Sequence, residues 1–242
     1  MKTSEQHPLE PFLPAGARLL MLGSFPPQRK RWSMEFFYPN LQNDMWRIFG
    51  LLFFGDRNHF LTPDRKAFDR GRIEAFCRER GIAIYDTAEE VIRLKDNASD
   101  QFLQVVREVD LAALLSRIPS CRDVVVTGGR AAETAARILG CAVPAVGSFT
   151  TFEQGDRTMR LWRMPSSSRA YPMPLESKAA VYRTVFESRL DRIFAEGLVE
   201  VAHTEEQDGV GMHRLDGVIL LHQGRFDIFL IVFFLLSHNR IL

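Results

Sequence analysis

Three short apolar runs limit what this chain can fold into. Residues 18–22 (RLLML), 82–85 (IAIY) and 124–126 (VVV) are too short for helices, and each stops at a turn. The stops are Gly23 with Pro26-Pro27, then Asp86, then Thr127-Gly128-Gly129. Short apolar runs bounded in this way read as buried strands. Helical stretches fall between them. Met45, Trp46, Ile48, Phe49, Leu52 and Phe53 form an apolar stripe within 43–54, and further helices are expected over 65–80, 111–118, 130–139 and 178–194. Residues 149–152 and 158–163 read as two strands around the Gly155-Asp156 turn. Strands alternating with helices predict an α/β fold with a central, mostly parallel sheet.

Residues 1–17 read as an extended, Pro- and Gly-containing lead-in, 18–195 as the α/β domain, and 196–242 as an appendage. Residues 196–208 hold Glu196, Glu200, Glu205, Glu206 and Asp208 but no Lys or Arg. Residues 228–236 (IFLIVFFLL) are nine apolar residues in a row. A membrane-spanning helix needs about 20, and Arg225, Asp227, His238 and Arg240 close off any extension, so such a span is rejected. The run reads as a buried strand or helix, or as a non-native tail from a shifted reading frame. The opening residues have charge but no apolar core of a signal peptide, so a cytoplasmic location is expected. Cys77, Cys121 and Cys141 form no C-x-x-C pair and read as free thiols. Thirty-one basic against thirty acidic residues exclude a polycation, though local basic patches still matter.

In an open parallel sheet, ligands bind beyond the carboxyl ends of the strands. Loops 23–27, 86–87 and 127–129 fall at such ends, and 164–168 joins them if its strand runs the same way. Gly23, Gly128 and Gly129 allow close approach to the backbone. Ser166, Ser167 and Ser168 put hydroxyls and N–H groups into one loop, which suits a phosphate or a base edge. Arg29, Lys30 and Arg31 follow the first loop, and Glu176 is the one acid within 157–183. A basic face beside a cleft suits a polyanion, and equally a solvated surface. Trp32, Phe36, Phe37 and Tyr38 crowd the basic loop, where an aromatic face can stack on an unpaired base. Phe36 or Phe37 is expected in the core, and Tyr38 is the more available face. No zinc-protease, Walker, nucleophile-elbow or dinucleotide motif is present. The six histidines sit in terminal or linking segments, which disfavours a hydrolase built on Ser24.

Four motifs in order, L-M-L-G-S-F-P-P (20–27), F-Y-P-N-L-Q-N-D-M-W (37–46), V-V-V-T-G-G-R-A-A (124–132) and M-P-S-S-S (164–168), resemble the uracil-DNA glycosylase superfamily. The mismatch-specific uracil/thymine and hypoxanthine glycosylase-like branches are nearest, over roughly residues 17–195. The resemblance implies a three-layer α/β/α sandwich that needs no cofactor and acts on DNA; no metal and a monomer are expected. The implied reaction is hydrolysis of the N-glycosidic bond of a deaminated base flipped out of the stack. It assigns Asn43 to the attacking water; Gly23, Ser24, Phe25 and Tyr38 to the base; and Ser166, Ser167, Ser168 and Arg169 to the DNA backbone. Three positions depart from the pattern. Phe25 stands where better-known branches have Asp or Asn, although the hypoxanthine-type branch is similar in having G-S-F-P there and an Asn matching Asn43; Met164 stands where some branches have His, and Pro39 directly follows Tyr38. Read without the resemblance, Asn43 is a helix N-cap, Asp44 complements the helix dipole and Trp46 is core. Asp86 either ends its strand or is a reserve base in the pocket. A catalytically inactive nucleic-acid-binding module on the same scaffold is the alternative, and Phe25 is its best support.

Overall fold

The computed structural model describes residues 3–95 and 102–188. In chain order the elements are β1 (Glu5–Gln6), β2 (Leu19–Gly23), α1 (Met45–Phe54), α2 (Arg70–Arg80), β3 (Ile82–Asp86), β4 (Ala88–Arg93), β5 (Leu103–Glu108), α3 (Leu111–Ser116), β6 (Asp123–Thr127), α4 (Gly129–Leu139), β7 (Ser148–Gln154) and β8 (Arg157–Met164). A last helix, α5, runs over 175–188.

The main sheet has five strands in the order β3-β2-β6-β8-β7. The first four are parallel, and β7 closes the edge as an antiparallel hairpin with β8. Every residue of β2, β3 and β6 is buried. Continuous apolar runs of this kind belong to strands covered on both faces. The chain leaves β2 for β3 in one direction, then returns past β2 to β6 and on to β8. Right-handed crossovers therefore place α1 and α2 on one face, and α3 and α4 on the other. Phe49 and Phe53 of α1 meet Phe76 of α2 at ring separations of 5.7 and 5.0 Å. The same two rings meet Phe186 at 5.8 and 4.9 Å, so α5 shares the layer of α1. This is the mixed α/β architecture that the apolar runs predict.

A second sheet, β1-β4-β5, is antiparallel and was not expected from the sequence. It draws in the lead-in: Glu5 pairs with Val91, and Phe12 bridges to Ile84 of β3. Phe25, Ala88, Val91 and Leu103 form its small apolar cluster. Helix α2 begins at Arg70, later than the expected 65. Asp69 caps it by accepting from the Arg72 N–H at 3.0 Å, and a Leu61–Phe68 bridge folds the preceding residues into a loop. The appendage over 196–242, including its apolar run, lies outside the described residues. Among the described residues, no helix is long and apolar enough to cross a membrane.

Candidate active site

Strand β8 runs parallel to β6, with Thr127 opposite Met164. All four loops singled out in the sequence therefore emerge from the same end of the sheet. The connections from β2 and β6, which are neighbours, depart to opposite faces. Such a divergence marks a switch point, the place where ligands bind in folds of this type.

Gly23 ends β2 in register with Asp86 of β3. A β-carbon at 23 would overlap Asp86 Oδ1 and lie 3.5 Å from the Tyr38 hydroxyl. Gly23 is thus needed for close approach rather than for an unusual backbone angle. Tyr38 itself has φ of +50°, a left-handed conformation that costs a non-glycine residue energy and persists only where its surroundings impose it. Its hydroxyl lies 3.4 Å from Thr127 Oγ1 and beside Gly23, so the phenol sits between the ends of β2 and β6. Next to Thr127, Gly128 has φ of +95°, and its open side faces the Ser166 side chain at 3.5 Å.

The second and fourth motifs are strapped together. Asn43 and Ser168 form an antiparallel bridge, the Asp44 N–H donates to the Ser167 carbonyl at 2.7 Å, and the Arg169 N–H donates to the Gln42 carbonyl at 3.2 Å. The N-cap of α1 is Asp44 and not Asn43 as expected; from the preceding position, Asn43 Oδ1 caps the first N–H of the helix by accepting from Met45 at 2.9 Å. That bond fixes the carboxamide and leaves its oxygen one lone pair and its nitrogen two protons.

Asp44 has a different part from the one its position suggests. It makes no capping bond. Its buried carboxylate accepts from Arg169 Nε at 3.0 Å and from Lys178 Nζ at 3.1 Å. Lys178 is fully buried and also donates to the Ser168 carbonyl at 2.8 Å. The Arg169 guanidinium, expected on DNA, is thereby a brace between Asp44 and the Gln42 side chain. Ser167 is buried; Ser166 Oγ accepts from the Ser168 N–H at 3.3 Å, and Ser168 Oγ from the Ala170 N–H at 3.2 Å. Tyr182 of α5 seats the loop from below by donating to the Pro165 carbonyl at 2.9 Å, and burial holds its phenol well above the usual range.

Several other expectations meet a different geometry. Phe25 is 8% exposed and packs on Ala88, Val91 and Leu103, so its ring is a wall rather than an open stacking face. Arg160 pairs with buried Asp123 at 2.7 Å, and Arg157 donates to carbonyls at the end of α3, so the basic cluster around the serine loop is partly internal. Phe36, Phe37 and Trp46 are core, and the Trp46 indole N–H donates to the Phe37 carbonyl at 3.1 Å.

His7 is the residue that sequence reasoning missed. The β1–β4 pairing folds it inward, where Nε2 lies 2.9 Å from Asp86 Oδ2. Their side chains are 3% and 8% exposed. Phe25, Phe37 and Tyr85 surround the imidazole, with ring separations of 5.3, 6.1 and 4.6 Å. Burial first, then the charges of Glu89 and Asp86, push the Tyr85 phenol up to about 12. It stays neutral beside the pair. The one local hint of this site was an acid, Asp86, ending an otherwise apolar strand.

A separate groove of about 1020 Å³ lies between β5 and α4, lined by Gln104, Arg107, Glu108, Arg130 and Arg137 among others. Arg137 pairs with Glu108 across it, and it receives none of the four loops. Among the described residues, no three His, Cys, Asp or Glu side chains are grouped to hold a metal ion.

No family model matches the chain. No curated protein matches it either. Among solved structures it is similar to the solution structure of a putative uracil DNA glycosylase from Methanosarcina acetivorans. The two are 20% identical, the match covers 75% of this chain and 98% of that one, and the TM-score is 0.47. The α/β assignment stands on the strand topology itself.

The glycine at 23 gives a direct test of the floor. Gly23→Ala is expected to displace the Asp86 carboxylate, because the new methyl group takes the space of Oδ1. Overpacking of this sort costs about 1–3 kcal/mol. Thermal unfolding should show that loss, and the His7 imidazole resonances should shift with it. An unchanged His7 environment would mean that Asp86 does not rest on Gly23.

Proposed function

We propose that the chain is a DNA glycosylase that hydrolyses the N-glycosidic bond of a deaminated base of the uracil or hypoxanthine type. One observation supports this most. Segments far apart in sequence (23–27, 38–44, 127–129 and 164–169) meet at the switch point of one sheet, and they are the four segments on which the sequence resemblance rests. A crevice at that switch point then receives a base swung out of the duplex, with Tyr38 across its floor and Ser24 at its edge. Asn43 orients the attacking water through its remaining lone pair. The 166–168 loop holds the flanking phosphate through hydroxyls and backbone N–H groups. An amide is a weak base, so this chemistry works by orientation and electrostatics more than by proton abstraction.

The test is incubation of the full chain with duplexes carrying uracil, hypoxanthine or xanthine, followed by alkaline strand cleavage. Cleavage at one of the lesions is expected. Tight binding to a lesion duplex with no abasic site formed would instead favour a binding module that has lost catalysis. The capped oxygen of Asn43 and the packed ring of Phe25 are the features that would then account for the loss.

A further inference from the structure

We propose that Asp86 is the catalytic carboxylate of this site and that His7 positions it; the inference rests on the glycosylase reading above. Phe25 leaves the first loop without an acid, and its ring is packed into the second sheet. Cleaving a glycosidic bond develops positive charge on the sugar, which a fixed negative group stabilises. The strand next to that loop offers one. Asp86 lies opposite Gly23 in the β2–β3 register, and its Oδ1 occupies the space above the glycine that any side chain there would fill, close to the Tyr38 hydroxyl.

The other carboxylate oxygen is held from behind. His7 Nε2 lies 2.9 Å from Oδ2. Its Nδ1 lies 2.7 Å from the Leu9 carbonyl oxygen and 3.2 Å from the Leu9 nitrogen. If Nδ1 donates to that carbonyl while Nε2 donates to Asp86, the ring is an imidazolium. If Nδ1 accepts from Leu9 N–H, the ring is neutral and Nε2 still donates. Where instead a neutral ring donates from Nδ1 to that carbonyl, Nε2 must accept from a protonated Asp86; catalysis uses the two arrangements in which Nε2 donates to an Asp86 carboxylate. A buried carboxylate without such a donor carries a large desolvation penalty. Phe25, Phe37 and Tyr85 fix the plane of the imidazole. The ring at position 25 thus packs against the histidine that orients the acid at position 86.

The step balances without a co-reactant beyond water. The C1′–N bond breaks and its electron pair leaves with the base. The sugar becomes a cation facing Asp86. Water, oriented by Asn43, forms the new C1′–O bond and gives a proton to Asp86. That proton then passes through solvent to the departed base anion.

The experiment compares wild type with Asp86→Asn, His7→Phe and His7→Gln. One readout is single-turnover base release from the preferred lesion duplex. The other is affinity for duplexes carrying a cationic azasugar abasic nucleotide or its neutral tetrahydrofuran counterpart. Asp86→Asn is expected to lower release about 100-fold and to abolish the preference for the cationic analogue. His7→Phe keeps an aromatic ring in the box but removes the donor, and should lower both readouts by about tenfold. His7→Gln restores an N–H donor and should recover most of the loss. A purely packing role for His7 predicts the reverse order. If Asp86→Asn fails to fold, the two His7 variants decide. Undiminished release and undiminished cation preference in Asp86→Asn or His7→Phe would overturn the proposal while leaving the glycosylase reading standing. A wild type that releases no base and ignores both analogues would overturn both.

Discussion

Asn43→Ala is expected to lower base release about 100-fold, the scale on which losing one positioned polar group acts in a preorganised site. The same substitution removes the cap on α1, since Oδ1 accepts the Met45 N–H, and losing a cap costs about 1 kcal/mol. Two companion variants separate the effects. Asn43→Ser keeps an oxygen that can cap the helix but cannot reach as far into the crevice. It should hold its melting temperature and lose activity. Asn43→Asp keeps both the cap and an acceptor for the water, and should stay active. If Asn43→Ser is as active as wild type, the residue is only a cap and the water is oriented from elsewhere.

The second large effect is on stability. Asp44→Ala should destabilise the domain by about 3–5 kcal/mol, because it strands the Lys178 ammonium without its carboxylate. Lys178 is fully buried, so water cannot take over the lost partner. For a domain of this size that loss lowers the melting temperature by roughly 10 °C. Lys178→Met is milder, since Asp44 keeps Arg169 at 3.0 Å and the side chain lies nearer solvent. The double variant should recover part of the loss, because neither charge is then left alone. Thermal denaturation of the four proteins closes the cycle. Additive losses would mean that the Asp44–Lys178 pair contributes no coupling and that the 165–169 loop is held by its backbone bonds alone.

The main sheet was legible because burial on both faces writes itself into the sequence. β2, β3 and β6 are buried along their whole length, and each of their short apolar runs stops at a turn. The second sheet left no such mark. β4 (AEEVIR) and β5 (LQVVRE) are half-exposed and carry glutamates and arginines on their open side, so their apolar alternation is thin. Missing them hid two further features. The lead-in looked loose because its partner strand was not seen, and His7 looked like a terminal histidine for the same reason. Phe25 looked like a ring available for stacking, although the cluster that buries it comes from β4 and β5.

At the site, local signals worked and long-range ones did not. The bond from Asn43 to the start of α1 could be read from neighbouring residues, whereas the group that closes on Gly23 is Asp86 of β3 rather than the ligand expected there. The Asp44–Lys178 bond joins residues 134 positions apart, and the His7–Asp86 contact joins residues 79 apart. Charge alone does not pair such groups. The arginines between 157 and 169 read as a DNA-facing patch, but pairing across the sheet turns Arg160 inward to Asp123, and Arg169 is braced by Asp44.

The most direct test of the account is amide-shift mapping during titration of the labelled chain with a duplex carrying a tetrahydrofuran abasic site. The predicted result is that the largest perturbations fall together on Gly23, Ser24, Tyr38, Asn43, Gly128 and Ser166 to Ser168, residues drawn from four loops of one sheet end. Perturbations centred on the groove of Gln104, Arg130 and Arg137, with those loops silent, would contradict it.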